Sequence, residues 1–207
     1  MQVHALPSPR PQSYGDAMAP VPKKATYEDL MAVPDNLVAE IVDGELVTSP
    51  RPASPHAYAN LAVSTDLFSR FSRPPGGADV PGGWWILSEP ELHLGEDVLV
   101  PDLAGWRRER MPELPNVVGF TLAPDWVCEV LSPSTGRLDR SRKMPIYARE
   151  GIRHFWIIHP LLRTLEIYRL EAGRWVVAGN HGGDDRVRAE PFDAVELDLA
   201  RWWIDTA

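Results

Sequence analysis

The run Trp126-Val-Cys-Glu-Val-Leu131 constrains this chain more than any other segment. Six residues free of turn formers, apolar but for one glutamate, suit a central β-strand covered on both faces. An ionised carboxylate in such a place is costly unless it is paired or bound to a metal. The plainer reading puts Glu129 on an edge strand, facing solvent. Alternation argues against it, because Glu129 shares its face with Val127 and Leu131.

The flanking pattern is consistent with a sheet around that strand. Thr26 followed by Glu28 and Asp29 predicts a short helix with an N-cap, ended by Pro34. Leu37–Ile41 and Leu46–Thr48 flank Asp43-Gly44 and predict a β-hairpin. Ser54-Pro55 reads as a cap with proline at the first helical position. Leu61, Thr65, Phe68 and Phe71 then recur at helical spacing over residues 55–72. Further strands are expected at Trp84–Leu87, Glu91–Leu94, Val98–Trp106, His154–His159, Thr164–Leu170 and Arg174–Ala178. A helix is expected over 139–150, opened by Asp139 and closed by Gly151. An edge strand and a short helix with Trp202 and Trp203 would end the chain. The class is α/β, with a mixed central sheet flanked by helices. Residues 1–24, crowded with proline, read as a disordered tail before a single domain over 25–207.

Composition excludes several classes. At 207 residues, 44% hydrophobic and 24% charged, the chain is an ordinary globular protein. A net charge of −8 argues against a passive coat on nucleic acid and leaves room for an enzyme with a local basic groove. The one cysteine, Cys128, forms no intrachain disulfide, makes no multi-cysteine zinc site and reads as an inert core thiol. No apolar stretch is long enough to span a membrane, and no leader is visible, so the expected address is the cytoplasm. The six histidines form no zinc-type pair, and no Gly-rich phosphate loop or nucleophile elbow is present.

Five acidic or basic positions carry chemical interest. Asp102 follows Pro101 in an otherwise apolar strand, where proline breaks the ladder and favours a bulge or edge. Strands about 4.8 Å apart let Asp102 and Glu129 share one ion at matched heights. A small cation held by one or two carboxylates and its own waters describes magnesium at a phosphoryl site. Lys143, on the helix leaving the strand, shares a face with Tyr147 and can position water or phosphate, unless it is an ordinary surface lysine. Residues 137–153 carry six cations against two acids, and Arg107, Arg108 and Arg110 add a second basic spot. Such patches flanking an acidic pair suit a polyanion. Glu40 is either a further carboxylate at the site or an exposed hairpin residue. His56 reads as a surface or cap residue that could still reach a phosphate from the helix N-terminus.

Glu40-Ile-Val-Asp-Gly-Glu-Leu46, Val100-Pro-Asp-Leu103, Val127-Cys-Glu-Val-Leu-Ser-Pro-Ser-Thr135, Asp139-Arg-Ser-Arg-Lys143, Tyr147 and Gly151-Ile-Arg-His-Phe-Trp-Ile-Ile-His-Pro160 resemble the PD-(D/E)XK nuclease superfamily. Within it they look like the bacterial restriction-endonuclease-like family, over about residues 26–204. The resemblance implies a restriction-endonuclease-like core hydrolysing DNA phosphodiesters with Mg²⁺ or Mn²⁺, with no membrane partner and suited to a homodimer. It implies Asp102 and Glu129 as metal ligands and catalytic groups, with Lys143 and Glu40 catalytic beside them. His56, Arg140, Arg142 and Tyr147 would contact substrate. The superfamily lysine two residues after the glutamate is Leu131 here, and Lys143 matches a lysine moved to the next helix. His159 stands where the family has an aspartate. The alternative is an inactive nuclease fold serving as a nucleic-acid-binding or assembly module.

Overall fold

A computed structural model describes residues 23–76 and 81–204 of the chain. The expected proline-rich tail therefore lies outside the described residues, apart from Lys23 and Lys24. The central run forms strand β8 (Trp126–Val130), every residue of which is buried. It lies inside a six-stranded sheet ordered β11-β10-β9-β8-β6-β3, built from β3 (Trp84–Ser88), β6 (Leu103–Arg107), β9 (His154–His159), β10 (Thr164–Glu171) and β11 (Arg174–Gly182). β8 pairs antiparallel with β6 and parallel with β9. A parallel pair needs a crossover, and a helical segment supplies it.

A second sheet, ordered β2-β1-β5-β4-β7, contains β1 (Leu37–Val42), β2 (Glu45–Pro50), β4 (Glu91–Leu94), β5 (Asp97–Leu99) and β7 (Gly119–Phe120). The β1–β2 hairpin turns at Asp43 and Gly44, whose φ values of 52° and 79° mark the primed turn expected of Asp-Gly. The expected single strand Val98–Trp106 is two strands. The chain leaves the smaller sheet after Leu99 and enters the larger one at Leu103, with Pro101 at the crossing, where a missing N–H costs no ladder bond. A small pair, β12 (Arg186–Val187) and β13 (Leu197–Asp198), precedes a 3₁₀ turn, Leu199–Trp202.

Helix α1 (Tyr27–Met31) carries the expected N-cap: Asp29 N–H donates to Thr26 Oγ1, and Thr26 N–H donates to the Asp29 carboxylate. Helix α2 (Ser54–Phe71) starts at Ser54 itself, with Ala53 at the cap position and no side-chain cap. Its buried face is not the expected one. Ala59, Val63, Leu67 and Phe71 face the core, while Leu61 and Phe68 stay 66% and 58% exposed. This stripe packs on Trp84, Trp126 and the C-terminal segment. There Phe192 lies 4.8–5.5 Å from Phe71, Trp84, Trp126 and Trp156. The opposite face of the larger sheet, with Val127, Phe155 and Ile157, packs on the smaller sheet and on Ile146, Tyr147 and Ile152.

The crossover helix begins earlier than expected, at Gly136. It runs as α3 (Gly136–Leu138), a π turn (Asp139–Lys143) and α4 (Met144–Arg149). Pro145 explains the π turn: it has no N–H for the Ser141 carbonyl and its ring crowds that oxygen. The Met144 N–H reaches back five residues to the Asp139 carbonyl. No helix among the described residues is long and apolar enough to cross a membrane.

Candidate active site

Asp102 lies one residue before Leu103, whose antiparallel partner is Cys128, so the register sets Asp102 level with Glu129. Its Oδ2 accepts the Val130 N–H at 2.7 Å, and His56 Nε2 lies 3.1 Å from Oδ1. Glu129, 2% exposed, takes the Tyr147 hydroxyl at 2.6 Å and Lys143 Nζ at 2.9 Å, both on Oε1. Glu40, on β1, is 4% exposed and accepts the Val100 N–H and Lys143 Nζ, each at 2.8 Å. Burial answers the open question about Glu40: it faces inward, away from the hairpin's exposed side. Lys143 is likewise no surface residue. The π turn directs it into the fold, 3% exposed, among three carboxylates.

The third carboxylate, Asp139, was not expected at the site. It is 2% exposed, with Oδ1 3.5 Å from Lys143 Nζ. Its position four residues before the lysine was the available signal. With Glu40, Asp102, Glu129 and Glu89 it makes five carboxylates lining one pocket of about 60 Å³, against Lys143 and His56. The pocket continues past Val38, Glu89 and Val100 into a cleft of about 400 Å³ along α1.

This surplus of acid sets the electrostatics. Burial pushes the Glu129 carboxyl well above the usual range; Lys143 opposes the shift, and Asp139, Asp102 and Glu40 add to it. Burial likewise raises Asp139 to about 6, against Lys143 and a Thr135 hydrogen bond. Lys143 is held well above its ordinary value: burial disfavours its charge, but Glu129 and Glu40 outweigh that. For His56, burial is outweighed by the hydrogen bond and charge of Asp102, and the imidazole is raised. Burial first, and then Glu129, pushes the Tyr147 hydroxyl well up. Cys128 is fully buried, and burial raises its thiol strongly.

The other expected contact residues are engaged elsewhere. Arg140 makes a paired contact with Glu166 at 3.0 and 2.5 Å. Arg142 reaches Asp43 at 3.1 Å and Glu45 at 2.7 Å, and also donates to the Val42 carbonyl. Arg149 pairs with Asp97 and Glu150, and Arg110 with Asp125. Arg107 and Arg108 lie over the rings of Trp84 and Trp85. Most of the basic run 137–153 is thus matched by acids distant in sequence. Tyr147 is fully buried. His159 accepts the Leu162 N–H, capping the β9–β10 turn.

No group of three or more His, Cys, Asp or Glu residues among the described residues is placed to hold a metal ion. The donor chemistry of Asp102 and Glu129 nevertheless fits a hard divalent cation. Both offer oxygen, the local charge is strongly negative, and magnesium takes one or two carboxylates and keeps its waters.

The architecture is shared with a solved structure described as a putative nuclease belonging to DUF820 from Anabaena variabilis ATCC 29413. The TM-score is 0.69 at 21% identity, covering 86% of this chain and 98% of that one. The likeness shows that the two chains share one α/β fold. The chain belongs to the family described as "Uma2: Putative restriction endonuclease", whose model matches residues 25–200. No protein with a curated description matches it.

Proposed function

We propose that the protein is a metal-dependent endonuclease that hydrolyses DNA phosphodiester bonds, with Asp102 and Glu129 holding Mg²⁺ or Mn²⁺. The observation that carries this reading is the Asp102–Glu129 pair, level on adjacent strands with Lys143 2.9 Å from Glu129. A bound divalent cation would supply Lewis-acid polarisation of the scissile phosphate and acidify water. The chain's own residues do the rest. His56 and the Val130 amide fix the Asp102 carboxylate, and Tyr147 fixes Glu129. Glu40 and Asp139 keep Lys143 charged and aimed, so that its ammonium can orient the attacking water or hold a phosphate oxygen. In this scheme Tyr147 and His56 position the carboxylates, and Arg142 braces the hairpin bearing Glu40. A cytoplasmic address would put the enzyme beside DNA, and cutting both strands calls for two sites and hence a homodimer.

The saturated arginines favour a second reading, a quiet nuclease fold acting as a nucleic-acid-binding or assembly module. Calorimetric titration of Mg²⁺ and Mn²⁺, run beside plasmid nicking, separates the two. Metal binding and nicking that both vanish in Asp102→Asn, with the fold intact, are the expected result. Nicking that survives in both Asp102→Asn and Glu129→Gln would remove the assignment. Metal binding without nicking in the wild type would favour the quiet module.

A further inference from the structure

Helix α2 presents a second face that nothing in the site accounts for. Its outward positions, from Ser54 through Tyr58, Leu61, Thr65 and Phe68 to Ser69, include no charged side chain. In a chain that is 24% charged, eighteen helical residues with an uncharged exterior are exceptional. The helix has two charged residues, and both are turned aside. Asp66 is 5% exposed and accepts the Trp202 Nε1–H at 2.9 Å, and Arg70 lies 3.9 Å from it. Tyr58, Leu61 and Phe68 stand out at 42%, 66% and 58% exposure. A groove runs along each side of this ridge. One, of about 390 Å³, lies between Phe68 and Leu87 of β3, an edge strand of its sheet. The other, of about 330 Å³, lies between Leu61 and Arg201.

We propose that this face is the dimer interface, and that its occupant is α2 of a second copy, antiparallel across a two-fold axis near Thr65. Leu61 and Phe68 are equally spaced about that point, so Leu61 of one copy meets Phe68 of the other. The two apolar ridges then face one another along their length, the self-complementarity an isologous contact requires. Charge at the rim matches the same axis. Exposed Glu89 sits at the site end of α2, its N–H bonded to the Asp102 carbonyl, while exposed Arg73 follows the other end of the helix. Neither side chain has an ion-pair partner among the described residues, and the two-fold brings each to the other. The helix is about 27 Å long.

This inference supplies the second copy that the nuclease reading calls for, and its test does not depend on cleavage. Sedimentation equilibrium of the full chain at tens of micromolar should give twice the 23.1 kDa chain mass. Leu61→Glu with Phe68→Glu should halve that mass without changing the circular dichroism, since both positions are exposed. Glu89→Arg should weaken the dimer, and adding Arg73→Glu should restore it, which a merely destabilised fold would not show. A monomeric wild type, or a double glutamate variant that remains a dimer, overturns the proposal. Nicking is read separately on the same samples: a dimer that never nicks keeps this interface and sinks the nuclease reading.

Discussion

Removing the buried ammonium by Lys143→Met tests whether the pocket's charge balance is as described. Lys143 Nζ lies 2.8 Å from Glu40, 2.9 Å from Glu129 and 3.5 Å from Asp139, all almost fully buried. At an effective dielectric of about 20, each short contact has a gross Coulomb energy of about 6 kcal/mol, most of it offset by desolvation. Breaking a buried ion pair from one side costs about 3–5 kcal/mol, because the remaining charge stays buried and unpaired. For a chain of this size that lowers Tm by about 6–20 °C, at roughly 2–4 °C per kcal/mol. Urea unfolding followed by tryptophan fluorescence, at neutral pH with chelator present, reads the loss directly. The loss should shrink as pH falls, because carboxyls already raised by burial, with Asp139 at about 6, take up protons and end the repulsion. Adding Mg²⁺ should raise the midpoint of the variant more than that of the wild type. A loss below about 1 kcal/mol at neutral pH would mean that the carboxylates shed their charge without the lysine, and the reasoning would fail.

Arg142→Ala should cost about 1–2 kcal/mol through its lost contacts to Asp43, Glu45 and the Val42 carbonyl; it should lower kcat more than it raises KM, with partial recovery in Arg142→Lys, and an unchanged kcat would remove the bracing role. His154 is depressed, first by burial and then by Arg107, Arg169 and Arg153 against Glu190. Its contribution to stability is therefore complete above its unfolded value near 6.5 and is lost as pH falls from there towards the lower folded value; His154→Gln should flatten the stability difference between pH 7 and 5.5, and a pH-independent difference between variant and wild type would refute this.

What was legible in the sequence depended on range. Turns and caps were readable because their causes are local: Asp43-Gly44 needs only its own φ values, and Thr26 only Asp29. The buried Glu129 was readable because its strand left no plausible exposed face. The basic run 137–153 misled because charge was summed along the chain. Arg142 meets Asp43 and Glu45 nearly a hundred residues away, a pairing that no local pattern encodes. Helix α2 misled for another reason. It carries two apolar stripes, and periodicity does not say which one meets the core. The basic neighbourhood of Lys143 is legible in the sequence, but the π turn that aims it follows from Pro145, whose effect on helix phase no hydrophobic period shows. One residue of extra winding corresponds to about 100° of rotation, so an unbroken α-helix would turn the lysine away from Glu40 and Glu129.

The crossing at Pro101 also makes the site audible through its backbone. Glu40 belongs to the smaller sheet and Asp102 to the threshold of the larger one. Each accepts an amide proton from the chain beside it: Val100 N–H to Glu40, and Val130 N–H to Asp102. Neither proton can exchange with solvent while its carboxylate holds it. Exchange at these two amides therefore clocks how often each sheet loosens on its own side of the crossing, with no substrate added. If the two sides of the crossing loosen as one unit, both amides will share one opening rate, well separated from that of the β8–β9 ladder behind them.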